Sequence, residues 1–350
     1  MTTPAPTPDT TGTPATTGTA PTGTAPTGTA PTGTAPTGTA PTGTWTAWHL
    51  HLPSSARSVH DRVLHEAVAP AVAAHPGRPW FFVRYWQAGP HLRLRLAGLT
   101  PDEAHATEHR LREALPGAAA LRDGEEPFGD AAFGREAQRL ARAGEDGSAL
   151  SPGTPPLPTG VYGAAYEPEY ERYGGAGLMP LSESLFTLSS SLVLGFLSSR
   201  PRGRRARALF ALGAAACAAA ALGDGTDAEA FRAHGLASWR RWLLGYGHAP
   251  DEVDQWVAAA GTAPGEAGQE RAVLASAASA AGPLAAWRRE LTAAAAVWRS
   301  TPGVQPGRLL FSHLHMLHNR LGLGIPDELL TYARLAPLPP HPADLHRSTR

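Results

Sequence analysis

The chain has 350 residues, of which thirty are basic and thirty acidic, so no net field draws it toward nucleic acid or an anionic membrane. All thirty bases are arginine, and the absence of lysine excludes a lysine Schiff base, a pyridoxal-phosphate enzyme and a GxxxxGKS or GxxxxGKT phosphate loop. A single cysteine, Cys217, excludes a disulfide framework and cysteine-based zinc or iron–sulfur sites, which leaves histidine, carboxylate, hydroxyl and arginine chemistry.

Residues 1–44 carry one charge, Asp9, and from Gly18 to Thr42 they repeat Gly-Thr-Ala-Pro-Thr five times. Such a segment buries too little apolar surface to offset its ordering entropy, so a disordered tail is expected. It lacks the basic start and apolar stretch of a secretory signal, which points to the cytoplasm. A folded unit is expected over 45–335, with a flexible tail at 336–350.

Within that unit, the segment from Trp80 to Leu96 reads WFFVRYW-QAGP-HLRLRL, two alternating runs joined by a turn signal. If 87–90 form the loop, Trp86 pairs with His91 and Arg84 with Arg93. Arg84, His91, Arg93 and Arg95 then share one face with Trp80, Phe82 and Trp86. Opposed guanidinium groups repel unless an anion lies between them. Two readings stay open here: a solvated face, or a partly covered pocket gripping a carboxylate or phosphate by bidentate contacts.

Residues 116–158 are rich in Gly, Pro and charge and are expected as a long excursion, with a short helix near 131–143. Next comes YEPEYERYGG, in which Glu169 and Arg172 are three apart and lead into Gly174-Gly175. A surface ion pair capping a turn explains it locally. The apolar spacing of Leu181, Leu185, Leu188 and Leu192 predicts a helix over 179–197.

From Pro201 to Leu335 alanine and leucine dominate, with breaks at 223–226, 247–250, 261–265 and 301–307, so this half is expected to be helical. Its longest apolar run, Leu209 to Leu222, is too short to span a bilayer. The fold class expected is α+β: a small antiparallel sheet with the arginine-bearing hairpin, then a mostly helical half.

The last helix of note reads LLFSHLHMLHNRLGL over 309–323, with Leu310, Leu314, Leu317 and Leu321 as its core stripe. At 100° per residue His315 and Asn319 lie away from that stripe. His313 and His315 point to nearly opposite sides and no HExxH pattern occurs, so no metal site is expected. His315 with Asn319 is the pair that suits acid–base work.

Taken in order, WFFVRYWQAGPHLRLRL, YEPEYERYGG and LHMLHNRLG resemble the C-terminal elimination domain of lantibiotic dehydratases and their stand-alone thiopeptide-biosynthesis relatives. The resemblance extends over Trp45 to Leu335. It implies β-elimination of glutamate from glutamylated Ser or Thr of a precursor peptide, leaving dehydroalanine or dehydrobutyrine. It implies no cofactor, no direct nucleic-acid or membrane contact, and a separate glutamyl-tRNA-dependent partner to install the glutamate. The family's arginines match Arg93, Arg95 and Arg172, its acid Glu169 and its histidine His315, while Arg84, His91 and Asn319 are expected to help bind substrate. Two alternatives remain: a pyridine synthase joining two dehydroalanines by aza-[4+2] cycloaddition with leader loss, or a non-catalytic protein that binds precursor peptide.

Overall fold

In a computed structural model, residues 44–129, 155–199, 203–223, 226–260, 267–278 and 282–335 are described. The repeat tail, the helix expected at 131–143 and the tail at 336–350 lie outside them. Four strands, β1 (Trp45–His51), β2 (Trp80–Tyr85), β3 (His91–Ala97) and β4 (Gly160–Ala164), form an antiparallel sheet in the order β2-β3-β1-β4.

Between β1 and β2 run α1 (Arg57–Val63), a π-helical turn (Leu64–Val68) and α2 (Ala69–Ala73). After β3 comes α3 (Pro101–Ala119), opened by a reciprocal capping box in which Thr100 Oγ1 accepts from Glu103 N and Glu103 Oε2 accepts from Thr100 N. Pro116 lies inside α3, so the excursion begins after Ala119 and not at Pro116.

Strand alternation sorts the sheet into two unlike faces. Trp48 and Leu50 of β1, Phe82 of β2 and Leu92, Leu94 and Leu96 of β3 are all buried in one core with Leu64, Val68, Leu111 and Leu115. The opposite face carries His49, His51, Tyr85, His91, Arg93 and Arg95.

The hairpin register differs from the expected one. Arg84 pairs with Leu92 and Val83 with Arg93, because the connection runs over 86–90 and so takes Trp86 out of the strand. The cause is a turn with Ala88 at φ 58° and Gly89 at φ 95°, closed by Gly89 N donating to Trp86 O at 3.0 Å. A one-residue slip sends a side chain to the other face. Arg84 therefore leaves the face of Arg93 and Arg95, and so do Trp80 and Phe82.

The C-terminal half is helical, as its composition requires: α4 (Met179–Ser198), α5 (Gly203–Ala221), α6 (Thr226–Gly245), α7 (Pro250–Ala260), α8 (Ala267–Ala278), α9 (Ala285–Ser300), α10 (Pro306–Leu321) and α11 (Ile325–Arg334). Small residues let these helices approach closely; Gly235 of α6 sits against the ring of Tyr332 on α11. Helix α4 is apolar and long enough to cross a membrane by length and composition. Its inward Ser182 and Ser190 are hydrogen-bonded to His313 of α10 and to Phe82 N of β2, so it serves as a core helix.

Strand β2 is a sheet edge, and the helical half covers it. Ser190 Oγ accepts from Phe82 N, Arg320 Nε donates to Phe82 O at 2.8 Å, and Asn319 brackets Arg84 by accepting from its N and donating to its O, both at 2.9 Å. Backbone groups that would otherwise be open are thus satisfied by side chains of α4 and α10.

Candidate active site

The polar sheet face holds its arginines over aromatic rings. Arg93 lies 3.4 Å above the Tyr85 ring, and its Nε donates to His91 Nε2 at 3.3 Å. Arg95 is buried, 5.1 Å from the Phe81 ring and 5.2 Å from Tyr166, and its Nε has no hydrogen-bond partner among the described residues. Burial, reinforced by neighbouring Arg93, lowers the Arg95 guanidinium to about 10. Trp45, Phe81, Tyr166, Tyr173 and Phe186 form a compact aromatic cluster beneath it.

A second group arrives from the 3-10 turn Glu171–Tyr173 and from α10. Glu169 and Arg172 make a 3.0 Å ion pair, partly exposed, as the local turn reading requires. Gly174, at φ 82°, ends that turn in a left-handed conformation, and a Cβ there would meet Leu178 at 2.8 Å. The charges of this pair reach in two directions. Glu169 acts on Arg93 and Arg95 on one side and on His315 on the other, and Arg172 acts on His315 and Glu328.

His315 projects from α10 against Trp239, with ring centroids 5.1 Å apart. Its Nδ1 faces Glu328 of α11 at 2.9 Å, and Glu328 also meets His318 Nδ1 at 3.1 Å. Burial opposes charge on both partners. It pushes Glu328 up to about 7, against the hydrogen bond from His318. It pushes His315 down, with Arg172 adding to the effect and Glu169 opposing it. With the side chain 27% exposed and Nδ1 committed to the carboxylate, Nε2 is the nitrogen left for a substrate proton.

Arg93, Arg95, Arg172 and His315 thus all lie within electrostatic reach of Glu169, with His91 beside Arg93. The structure does not bring Arg84 or Asn319 there. Arg84 is half-buried on the core face, paired with Asp61 at 2.7 Å and donating to Arg320 O, and Asn319 is consumed in bracketing the Arg84 backbone. Their expected substrate contacts are corrected accordingly: the register slip turns Arg84 inward, and the non-core side of α10 at Asn319 is occupied by β2.

Two residues escaped sequence reasoning. Glu328 orients His315 from the next helix, and nothing in its local pattern marks it. Arg320 is 1% exposed, and beyond its Nε bond to Phe82 its Nη1 and Nη2 have no partner among the described residues. Burial lowers it to about 9, and Arg95 adds to the shift. Its place beside Asn319 in HNR was visible, but a buried arginine with unmatched donors is legible only in three dimensions. Two such cations within reach of each other are costly unless an anion enters between them. Chemically, the arrangement suits a small carboxylate-bearing group held by arginines beside an imidazole.

A family model described as lantibiotic biosynthesis dehydratase C-term matches residues 45–338. No curated protein matches. Among solved structures, the chain is similar to the pyridine synthase TbtD from thiomuracin biosynthesis, at 21% identity and TM-score 0.63, over 84% of this chain and 96% of that one. It is similar to TsrL at 16% identity and TM-score 0.56, over 84% and 93%. It also resembles the tRNA-dependent lantibiotic dehydratase MibB from Microbispora sp. 107891, at 24% identity and TM-score 0.47; the match spans 91% of this chain but 29% of that protein.

Proposed function

Because the chain belongs to the lantibiotic biosynthesis dehydratase C-terminal family, which works on ribosomally made peptides, we propose that it eliminates glutamate from glutamylated Ser or Thr of a precursor peptide. The observation that carries this reading is that Arg172 pairs with Glu169 and that Arg93, Arg95 and His315 all lie within electrostatic reach of that same carboxylate. A base removes the α-proton of the modified residue, the Cβ–O ester bond breaks, and glutamate leaves as a carboxylate. Arginines hold the glutamyl group through its free carboxylate and stabilise charge on the one being released. His315 exchanges a proton at Nε2 while Glu328 holds Nδ1. Arg95 and Arg320, with unmatched buried donors, favour an anion over a neutral group at the inner end. The glutamate itself is installed by a separate glutamyl-tRNA-dependent protein.

The test is to incubate the purified chain with a glutamylated precursor peptide and follow the peptide mass. Loss of the glutamyl groups as free glutamate is expected, and an unchanged peptide overturns the proposal. Ring closure with leader release from a fully dehydrated, azole-bearing peptide would assign cycloaddition instead. Arg93→Ala and His315→Ala should each leave the peptide glutamylated in a folded protein.

A further inference from the structure

Strands β1 and β3 deliver three imidazoles to one patch of the polar face. His49 and His51 are two apart on β1, so the pleat puts them on the same side. The register sets His51 directly opposite His91 and His49 opposite Arg93. One ring nitrogen of each histidine lies within 4.8 Å of those of the other two. Two ligands at i and i+2 of one strand, with a third from its antiparallel neighbour, mark three corners of a triangle that sheet geometry can close on a single ion.

The partners of each ring suit that use. His91 Nδ1 lies 2.9 Å from Gly89 O, so Nδ1 carries the proton and the Nε2 lone pair faces the cluster side, where it receives only a 3.3 Å hydrogen bond from Arg93. His51 is 2% exposed, and its Nδ1 has no partner among the described residues. A backbone carbonyl that fixes the tautomer, as Gly89 O does for His91, is a usual outer-shell partner of an imidazole metal ligand. His49 is half-buried.

We propose that His49, His51 and His91 bind one divalent transition-metal ion, zinc by preference, with three imidazole ligands and an open fourth position. The rings are now stacked, His51 on His91 at 4.4 Å and His49 on His91 at 4.9 Å, with planes 22° and 28° apart. Binding turns His49 and His51 about their Cβ–Cγ bonds until the in-plane lone pairs converge at about 2.0–2.1 Å from the ion. Arg93 gives up its long bond to His91 and stays on the Tyr85 ring. Its charge beside the fourth position selects an anionic ligand there, hydroxide or carboxylate. The site stands on the sheet geometry and does not rest on the elimination reaction.

The experiment uses the full chain, stripped with a chelator and titrated with ZnCl2 by calorimetry and with CoCl2 by visible absorption. One ion per chain and intense tetrahedral Co2+ bands are expected. His49→Ala and His51→Ala should weaken Zn2+ binding by at least the roughly 10–100-fold lost with an outer-shell partner. His49→Ala replaces a partly exposed side chain and retains the fold, which circular dichroism checks. Absence of saturable binding, a pale octahedral Co2+ spectrum, or unchanged affinity in a folded His49→Ala protein would each overturn the site.

Discussion

Arg320 and Arg95 are held where an arginine is expensive. Each is buried, each has guanidinium donors without a partner among the described residues, and a neighbouring arginine adds to the burial penalty on each, Arg93 at Arg95 and Arg95 at Arg320. Desolvating such ions costs several kcal/mol apiece. Arg320→Met removes one of them and also the donor to Phe82 O, a loss of about 1–3 kcal/mol that relief of the unpaired charge offsets. Stability, read as a urea midpoint, should therefore change by no more than about 2 kcal/mol, while elimination falls at least ~100-fold. A variant that unfolds easily yet turns over normally per folded molecule would make Arg320 a structural residue only. Glu328 is a positioning residue, because it touches His315 and His318 and not the arginine face. Glu328→Gln keeps the shape but lets the wrong nitrogen of His315 carry the proton. The expected signature is a kcat lowered by about 100-fold with KM unchanged. An increase in KM alone would contradict it.

At the scale of elements, the edge of β2 decides how the sheet meets the helices. Asn319 spans both open backbone groups of Arg84, so Asn319→Ala strands two buried polar groups at once. At about 1–3 kcal/mol each, the loss should reach ~2–6 kcal/mol, measurable by denaturation. Because Arg93 and Arg95 lie on the neighbouring strand, turnover of the remaining folded protein should be preserved. The same edge shows what was legible beforehand. The hairpin, its arginine alternation and the wheel position of His315 all follow from periods of 2 and 3.6, which sequence displays directly. The register did not follow, because it hung on whether Trp86 belongs to strand or turn, and that was settled by Ala88 and Gly89 taking positive φ. Asn319 was placed on the correct side of its helix but given the wrong neighbour, since a wheel shows a face and not what lies against it. The meeting of His49 and His51 with His91 needed the β1–β3 pairing, which no local pattern displays.

For the whole molecule, the α+β division holds, and the halves are joined by charge as well as by packing: Asp61 of α1 binds both Arg84 of β2 and Arg207 of α5. Several titratable groups are sealed inside this joint in their neutral forms, which ties global stability to pH. His60 and His313 are both lowered to about 3, chiefly by burial, with Arg84 adding to the shift at His60 and Arg320 at His313. A histidine with a lowered folded pKa contributes stability that is complete above its unfolded value near 6.5 and is lost as pH falls below it, at up to about 1.4 kcal/mol per pH unit for each group. Glu328, raised to about 7, works the other way: its contribution is complete below about 4.5 and is lost as pH rises toward 7. It offsets one histidine between those limits, so the two histidines leave a net loss on acidification. Urea midpoints taken at pH 7.5 and pH 5.5 should therefore fall toward acid. His313→Phe keeps the ring between Tyr173, Phe186 and Trp298, gives up the Ser182 hydrogen bond and removes one titrating group. That variant should start less stable at pH 7.5 and lose less on acidification than the parent chain. If the two chains decline in parallel, His313 is not among the groups that set the slope.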